Sequence, residues 1–146
     1  MPGKDEKRRV RVDEAVTIEV RRDEVTVTPE VFVVKRTFAG ERERGRGDGK
    51  SPLRFVVKGL GPKDLLEVDF TSQGGFKGPF LLDEPQSARP VRGRYLFERS
   101  GAVPSGRIDR KNFPGPSAWK YEVVLRRKVG RRIVDVVAID PMGVLR

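Results

Sequence analysis

The chain contains no cysteine and no histidine among its 146 residues. Without cysteine there is no disulfide, no thiolate zinc site, no iron–sulfur cluster and no cysteine nucleophile. Without histidine, the commonest metal ligand and the commonest general base are both missing. No apolar run approaches the ~20 residues that a membrane-spanning helix needs. The basic start, Met1 to Arg9, leads into alternating Val10 and Val12 with acidic residues, not into the apolar core of a secretory signal. These features together predict a cytoplasmic protein that neither crosses a membrane nor carries a cofactor or metal.

What is present is charge and short apolar pieces. Charged and hydrophobic residues each make up 36%, enough apolar content for one small core. The formal net charge is +10, and it is uneven. Residues 1–50 carry 13 basic and 11 acidic side chains, residues 51–105 carry 8 and 6, and residues 106–146 carry 10 and 4. The last segment therefore holds +6 of the excess. Arginine outnumbers lysine 21 to 10, which suits bidentate contact with phosphate or carboxylate but also follows from genome composition.

The dominant period is two. Val16, Ile18 and Val20 alternate with Thr17, Glu19 and Arg21, the pattern of a half-buried strand. Val25–Val27, Val31–Phe38, Leu53–Val57, Leu66–Phe70, Tyr95–Phe97, Trp119–Leu125 and Ile133–Ile139 continue it, separated by Gly, Pro and Asp. No helical stripe occurs in any window of useful length. The expected fold is all-β, an antiparallel two-sheet sandwich. Its predicted core comprises Val16, Ile18, Val20, Val68, Phe70, Trp119, Tyr121, Val123 and Ile139. The expected organisation is an N-terminal charged arm over 1–14 and a single domain over 15–146. Long loop insertions are expected at 39–52, which is rich in Gly and charge, and at 83–117, which is interrupted by Pro.

Leu66–Phe70 followed by Gly78-Pro79-Phe80, and Trp119–Val123 followed by a return to Asp140-Pro141 and the apolar Val144-Leu145, resemble the strands of bacterial cupredoxin-like sandwich modules. Immunoglobulin-like sandwiches fit nearly as well. The resemblance covers roughly 15–38, 65–82 and 117–146, and implies architecture alone, since such sandwiches host unrelated functions. A blue-copper site needs two His and one Cys, so copper electron transfer is excluded whatever the fold.

Other motifs fail on chemistry. Arg46-Gly47-Asp48 matches an adhesion tripeptide that this Arg- and Gly-rich composition readily produces by chance. Gly45 to Ser51 brushes a phosphate loop but lacks its first glycine and is followed by a strand. Glu67 and Asp69, Asp83 and Glu84, and Asp135 and Asp140 show no spacing that promises convergence across a cleft, and all read as solvated outward residues. With no imidazole to activate a hydroxyl, the expectation is a non-enzymatic protein with no evident small-molecule substrate.

The strongest functional signal is Arg126, Arg127, Lys128, Arg131 and Arg132, five cations in seven residues around Val129-Gly130. A charged β-hairpin tip of this kind could meet an acidic protein partner, could lie along a nucleic-acid backbone, or could merely be solvated and protect a sheet edge. A protein partner is expected first, in an accessory or assembly subunit. Sequence-nonspecific nucleic-acid binding through the hairpin is the alternative.

Overall fold

A computed structural model describes residues 14–35, 51–71, 78–81, 92–109, 111–113 and 115–146. Most of the expected arm and of the first long loop, residues 1–13 and 39–50, lies outside the described residues, as do 83–91, 110 and 114 of the second. The described residues form eleven strands and no helix. In chain order these are β1 (Glu14–Arg21), β2 (Glu24–Thr28), β3 (Val31–Val34), β4 (Leu53–Lys58), β5 (Asp64–Asp69), β6 (Arg94–Phe97), β7 (Gly101–Pro104), β8 (Ser117–Lys120), β9 (Glu122–Val129), β10 (Arg132–Ile139) and β11 (Met142–Leu145).

The all-β expectation holds, but the strands build three sheets instead of two: β2-β1-β4-β7, β10-β9-β5-β6 and β3-β11-β8. The pairing is also not wholly antiparallel. β1 runs parallel to β4, and β3 parallel to β11. The expected continuous strand through Trp119–Leu125 divides at Tyr121, because β8 pairs with β11 whereas β9 pairs with β5 and β10. The segment 83–117, expected as loop around one short strand, also contains β7, hydrogen-bonded along β4.

Alternation converts directly into burial. Val16, Ile18 and Val20 of β1, Phe55 and Val57 of β4, and Leu66 and Val68 of β5 all point into one core shared by the three sheets. Eight of the nine predicted core residues are buried, and Ile139 is half-buried at the end of edge strand β10. Aromatic rings join the sheets: Phe70 stacks on Tyr121 at 4.8 Å between centroids, and Phe55 meets Tyr95 at 4.7 Å. In β11, Gly143 leaves the room that the Phe32 ring fills; any side chain there would collide with it.

Two buried tyrosines make a contrasting pair. The Tyr95 hydroxyl donates to the Ser105 carbonyl at 2.7 Å, whereas the buried Tyr121 hydroxyl has no hydrogen-bond partner among the described residues. Burial pushes both phenols well above the usual tyrosine pKa, the nearby Arg92 charge only partly opposing this at Tyr95. Tyr95→Phe leaves the Ser105 carbonyl without this donor and is expected to cost about 1–2 kcal/mol. Tyr121→Phe loses no hydrogen bond among the described residues and should leave the thermal midpoint unchanged or raise it. Thermal denaturation of the two variants side by side checks this, and equal destabilisation would refute it.

Candidate functional site: a basic hairpin and a three-edge groove

The β9–β10 hairpin closes through Gly130 and Arg131, with Val129 opposite Arg132. Gly130 takes φ +64°, the left-handed conformation that the first position of a type II′ hairpin turn requires. β5 accompanies β9 only as far as Asp64 opposite Arg127, where the Lys128 amide donates to the Lys63 carbonyl at 2.9 Å. Beyond that point residues 128–133 form a two-stranded ribbon with no further sheet neighbour among the described residues. Period-two alternation places Arg127, Val129, Arg132 and Val134 on one face, and Arg126, Lys128, Ile133 and Asp135 on the other.

The five cations divide into two groups. On one face, Arg126 donates from Nη1 to Glu67 Oε1 and from Nε to Asp135 Oδ1, both at 3.0 Å. Glu67 also accepts from Arg94, with Nε at 2.8 Å and Nη2 at 2.6 Å from Oε2. Glu67 is thus a carboxylate 4% exposed, clamped between two guanidinium groups, and not the solvated outward residue expected. On the other face, Arg127 donates from Nε to Asp64 Oδ1 at 2.8 Å, and from Nη1 to Asp23 Oδ1 at 2.7 Å. Asp64 is also buried and accepts the Gly61 amide at 2.8 Å as well. Arg127 therefore ties β9 to the β1–β2 turn of another sheet. Burial works against the Arg126 charge, but hydrogen bonds to Glu67 and Asp135 outweigh it and raise its pKa above the ordinary guanidinium value. Hydrogen bonds to Asp23 and Asp64 raise that of Arg127.

Lys128, Arg131 and Arg132 differ. All three are exposed and form no ion pair among the described residues. At the hairpin tip three of the five cations are thus free of ion pairs among the described residues, while Arg126 and Arg127 are engaged at its base. Beside them lie Val129 and Ile133, 56% and 57% exposed, features that the count of charges in the sequence overlooked.

At the far end of the same hairpin the sign reverses. Glu122 sits directly opposite Asp69 across the β9–β5 ladder. Desolvation, together with the charges of Asp140 and Asp69, raises the Glu122 pKa above the ordinary glutamate value despite Arg126. A carboxyl whose pKa is raised by folding destabilises the fold when ionised, and this cost fades as pH falls through the raised pKa. Glu122→Gln is accordingly expected to raise the thermal midpoint slightly at pH 7, with the gain vanishing at acid pH. A midpoint unaffected at pH 7 would contradict this. Among the described residues no group of three or more acidic side chains is placed to hold a metal ion.

Next to this acidic end a groove of about 800 Å³ opens, lined by residues including Val25, Val27, Glu30, Val31, Ile139 and Asp140. It lies where one edge of each of the three sheets is found: among the described residues β2, β3 and β10 are each an edge strand of their sheet. Thr28-Pro29 links β2 to β3 and Asp140-Pro141 links β10 to β11, and a proline, having no N–H, helps to stop a ladder at such a place. Among the described residues Glu30 and Asp140 line the groove and no Lys or Arg does, in a chain of net charge +10. The sequence carried the two Pro breaks but nothing that brought them together, since Pro29 and Pro141 are at opposite ends of the chain.

Neither a family model, nor a curated protein, nor a solved structure matches this chain.

Proposed function

We propose that this chain is a non-enzymatic interaction module on a β-sandwich scaffold, serving as an accessory or assembly subunit that binds a protein partner. The scaffold resembles cupredoxin-like or immunoglobulin-like sandwiches. The parallel pairs β1–β4 and β3–β11 favour the former, because immunoglobulin sandwiches are built of two antiparallel sheets. The observation that carries the proposal is the groove at the three sheet edges. Edge strands present unpaired N–H and C=O groups to an incoming extended segment, and pockets for its alternate side chains supply selectivity. The lining includes the apolar Val25, Val27, Val31, Ile139 and Met142, and among the described residues Glu30 and Asp140 are its charges. The segment that fits is extended, alternates apolar with polar residues, and carries Lys or Arg.

Co-purification from the native host tests this in three forms of the protein. The wild type should retain a partner, Glu30→Lys/Asp140→Lys should lose it, and Arg131→Ala/Arg132→Ala should keep it. Recovery of monomer alone at every salt concentration, or a partner indifferent to the groove substitutions, would overturn the reading.

Nucleic-acid binding through the hairpin is the second reading, favoured by the three exposed tip cations. With three phosphate contacts to duplex DNA, log K should fall against log salt with a slope of about −2.7. Arg131→Ala/Arg132→Ala should flatten that slope by nearly two units, and random and specific oligonucleotides should bind alike. Titration of duplex and single-stranded oligonucleotides at ~50 and ~200 mM salt decides it, no binding at the lower salt removing this reading.

A further inference from the structure

The hairpin tip has a second chemistry that a phosphate backbone leaves unused. Val129 and Ile133 are the most exposed large hydrophobic side chains among the described residues. They lie on opposite faces of the ribbon, Val129 opposite Arg132 and Ile133 opposite Lys128. Each face of the tip therefore pairs one apolar side chain with one cation, and Arg131 adds a third charge at the turn itself. A flat protein surface covers one face of a ribbon. A fluid interface closes around both. Apolar side chains that enter the acyl boundary while long cationic side chains reach back to the headgroups are the chemistry of peripheral attachment to an anionic bilayer.

The surroundings agree in charge. The β1–β2 turn is held against β9 by Arg127, the Lys63 carbonyl accepts the Lys128 amide, and the Leu60 amide donates to Ser100 Oγ of the β6–β7 turn at 3.0 Å. These contacts gather exposed Arg22, Lys63 and Arg99 at the end of the molecule from which the tip projects. Glu24 and Glu98 are exposed there too, but Asp23 and Asp64 are already bound by Arg127. We propose that the 128–133 tip is a membrane-surface probe, in which Val129 and Ile133 enter an anionic phospholipid interface and Lys128, Arg131 and Arg132 hold its headgroups. No strand crosses the bilayer in this mode; the rest of the fold stays in water.

Co-sedimentation with vesicles of phosphatidylcholine alone, and with about one third phosphatidylglycerol, tests the proposal on the full chain. The wild type should bind the anionic vesicles and not the neutral ones. Arg131→Gln/Arg132→Gln should lower the partition coefficient by about 25-fold, near fivefold for each cation. Val129→Ser/Ile133→Ser, which keeps every charge, should lower it by roughly tenfold. The emission of Ile133→Trp should shift to the blue on anionic vesicles and stay unshifted on duplex DNA. Thermal midpoints of the exposed-tip variants confirm that each is folded. Wild-type binding by Val129→Ser/Ile133→Ser would reduce the attraction to net charge and overturn the proposal. So would an absence of vesicle binding, or duplex DNA bound through the same cations while the vesicles are ignored.

Discussion

Phe70→Ala is expected to destabilise the fold by about 3–5 kcal/mol, the range for removing a fully buried phenyl ring. Phe70 follows β5 and is wholly buried, and its ring sits where the three sheets meet. It stacks on Tyr121 with 14° between ring planes, and meets Phe80 and Tyr95 edge-on at 5.8 and 6.0 Å. Phe32 of β3, Phe55 of β4 and Trp119 of β8 complete the surround at 6.4, 6.0 and 6.4 Å. Gly78, at φ +80°, brings the returning chain so close that a Cβ there would lie 2.9 Å from the Phe70 ring. Stiff neighbours anchored in three sheets collapse poorly into a vacated space, so the cavity persists and its cost adds to the lost transfer free energy. The thermal midpoint should fall by roughly 10–15 °C for a chain of this length. Phe70→Leu, which keeps most of the volume, should cost much less. A loss below about 2 kcal/mol for the alanine variant in denaturant titration would show that the core relaxes, and that the ring does not join the sheets.

Glu67→Ala is expected to cost about 2–3 kcal/mol, between the values for exposed and for fully buried ion pairs. The carboxylate is buried, so its interactions gain from low local dielectric. Its partners Arg94 and Arg126 are 45% and 31% exposed, so both can turn to water when it is removed. Arg126→Ala should cost less than Glu67→Ala, because Arg94 still satisfies the carboxylate. The double-mutant cycle between positions 67 and 126 should give a coupling of about 1 kcal/mol. Arg131→Ala/Arg132→Ala, in contrast, should change stability by no more than about 0.5 kcal/mol. Equal effects at 126 and at 131/132 would erase the division of the hairpin into a structural base and an available tip. That division governs the choice of variants: Arg127, tied to Asp64 and Asp23, belongs to the frame, and its replacement confounds any binding experiment.

Period-two alternation depends only on neighbouring residues, and it marked most of the strands and many of their inward positions. Val16, Ile18 and Val20 read inward from the sequence and are buried; the β9–β10 turn around Gly130 was equally legible. β7 was not, because Ala102, Val103 and Pro104 are too few to alternate and take their strand geometry from β4. Nor does alternation say which strand lies beside which. The parallel partner of β1 is β4, and that of β3 is β11 near the other end of the chain, so the third sheet and the switch at Tyr121 had no local signature. The basic cluster shows the same limit at the level of single side chains. Arg126 and Arg127 are the same residue type as Arg131 and Arg132, and no local rule separates them. What separates them are Glu67 and Asp64, 59 and 63 positions away, and Asp23, 104 positions away. The groove required three edges drawn from both ends of the chain. Local chemistry dictated strand, face and charge; long-range pairing decided which charges were consumed within the fold and which remained to meet another molecule.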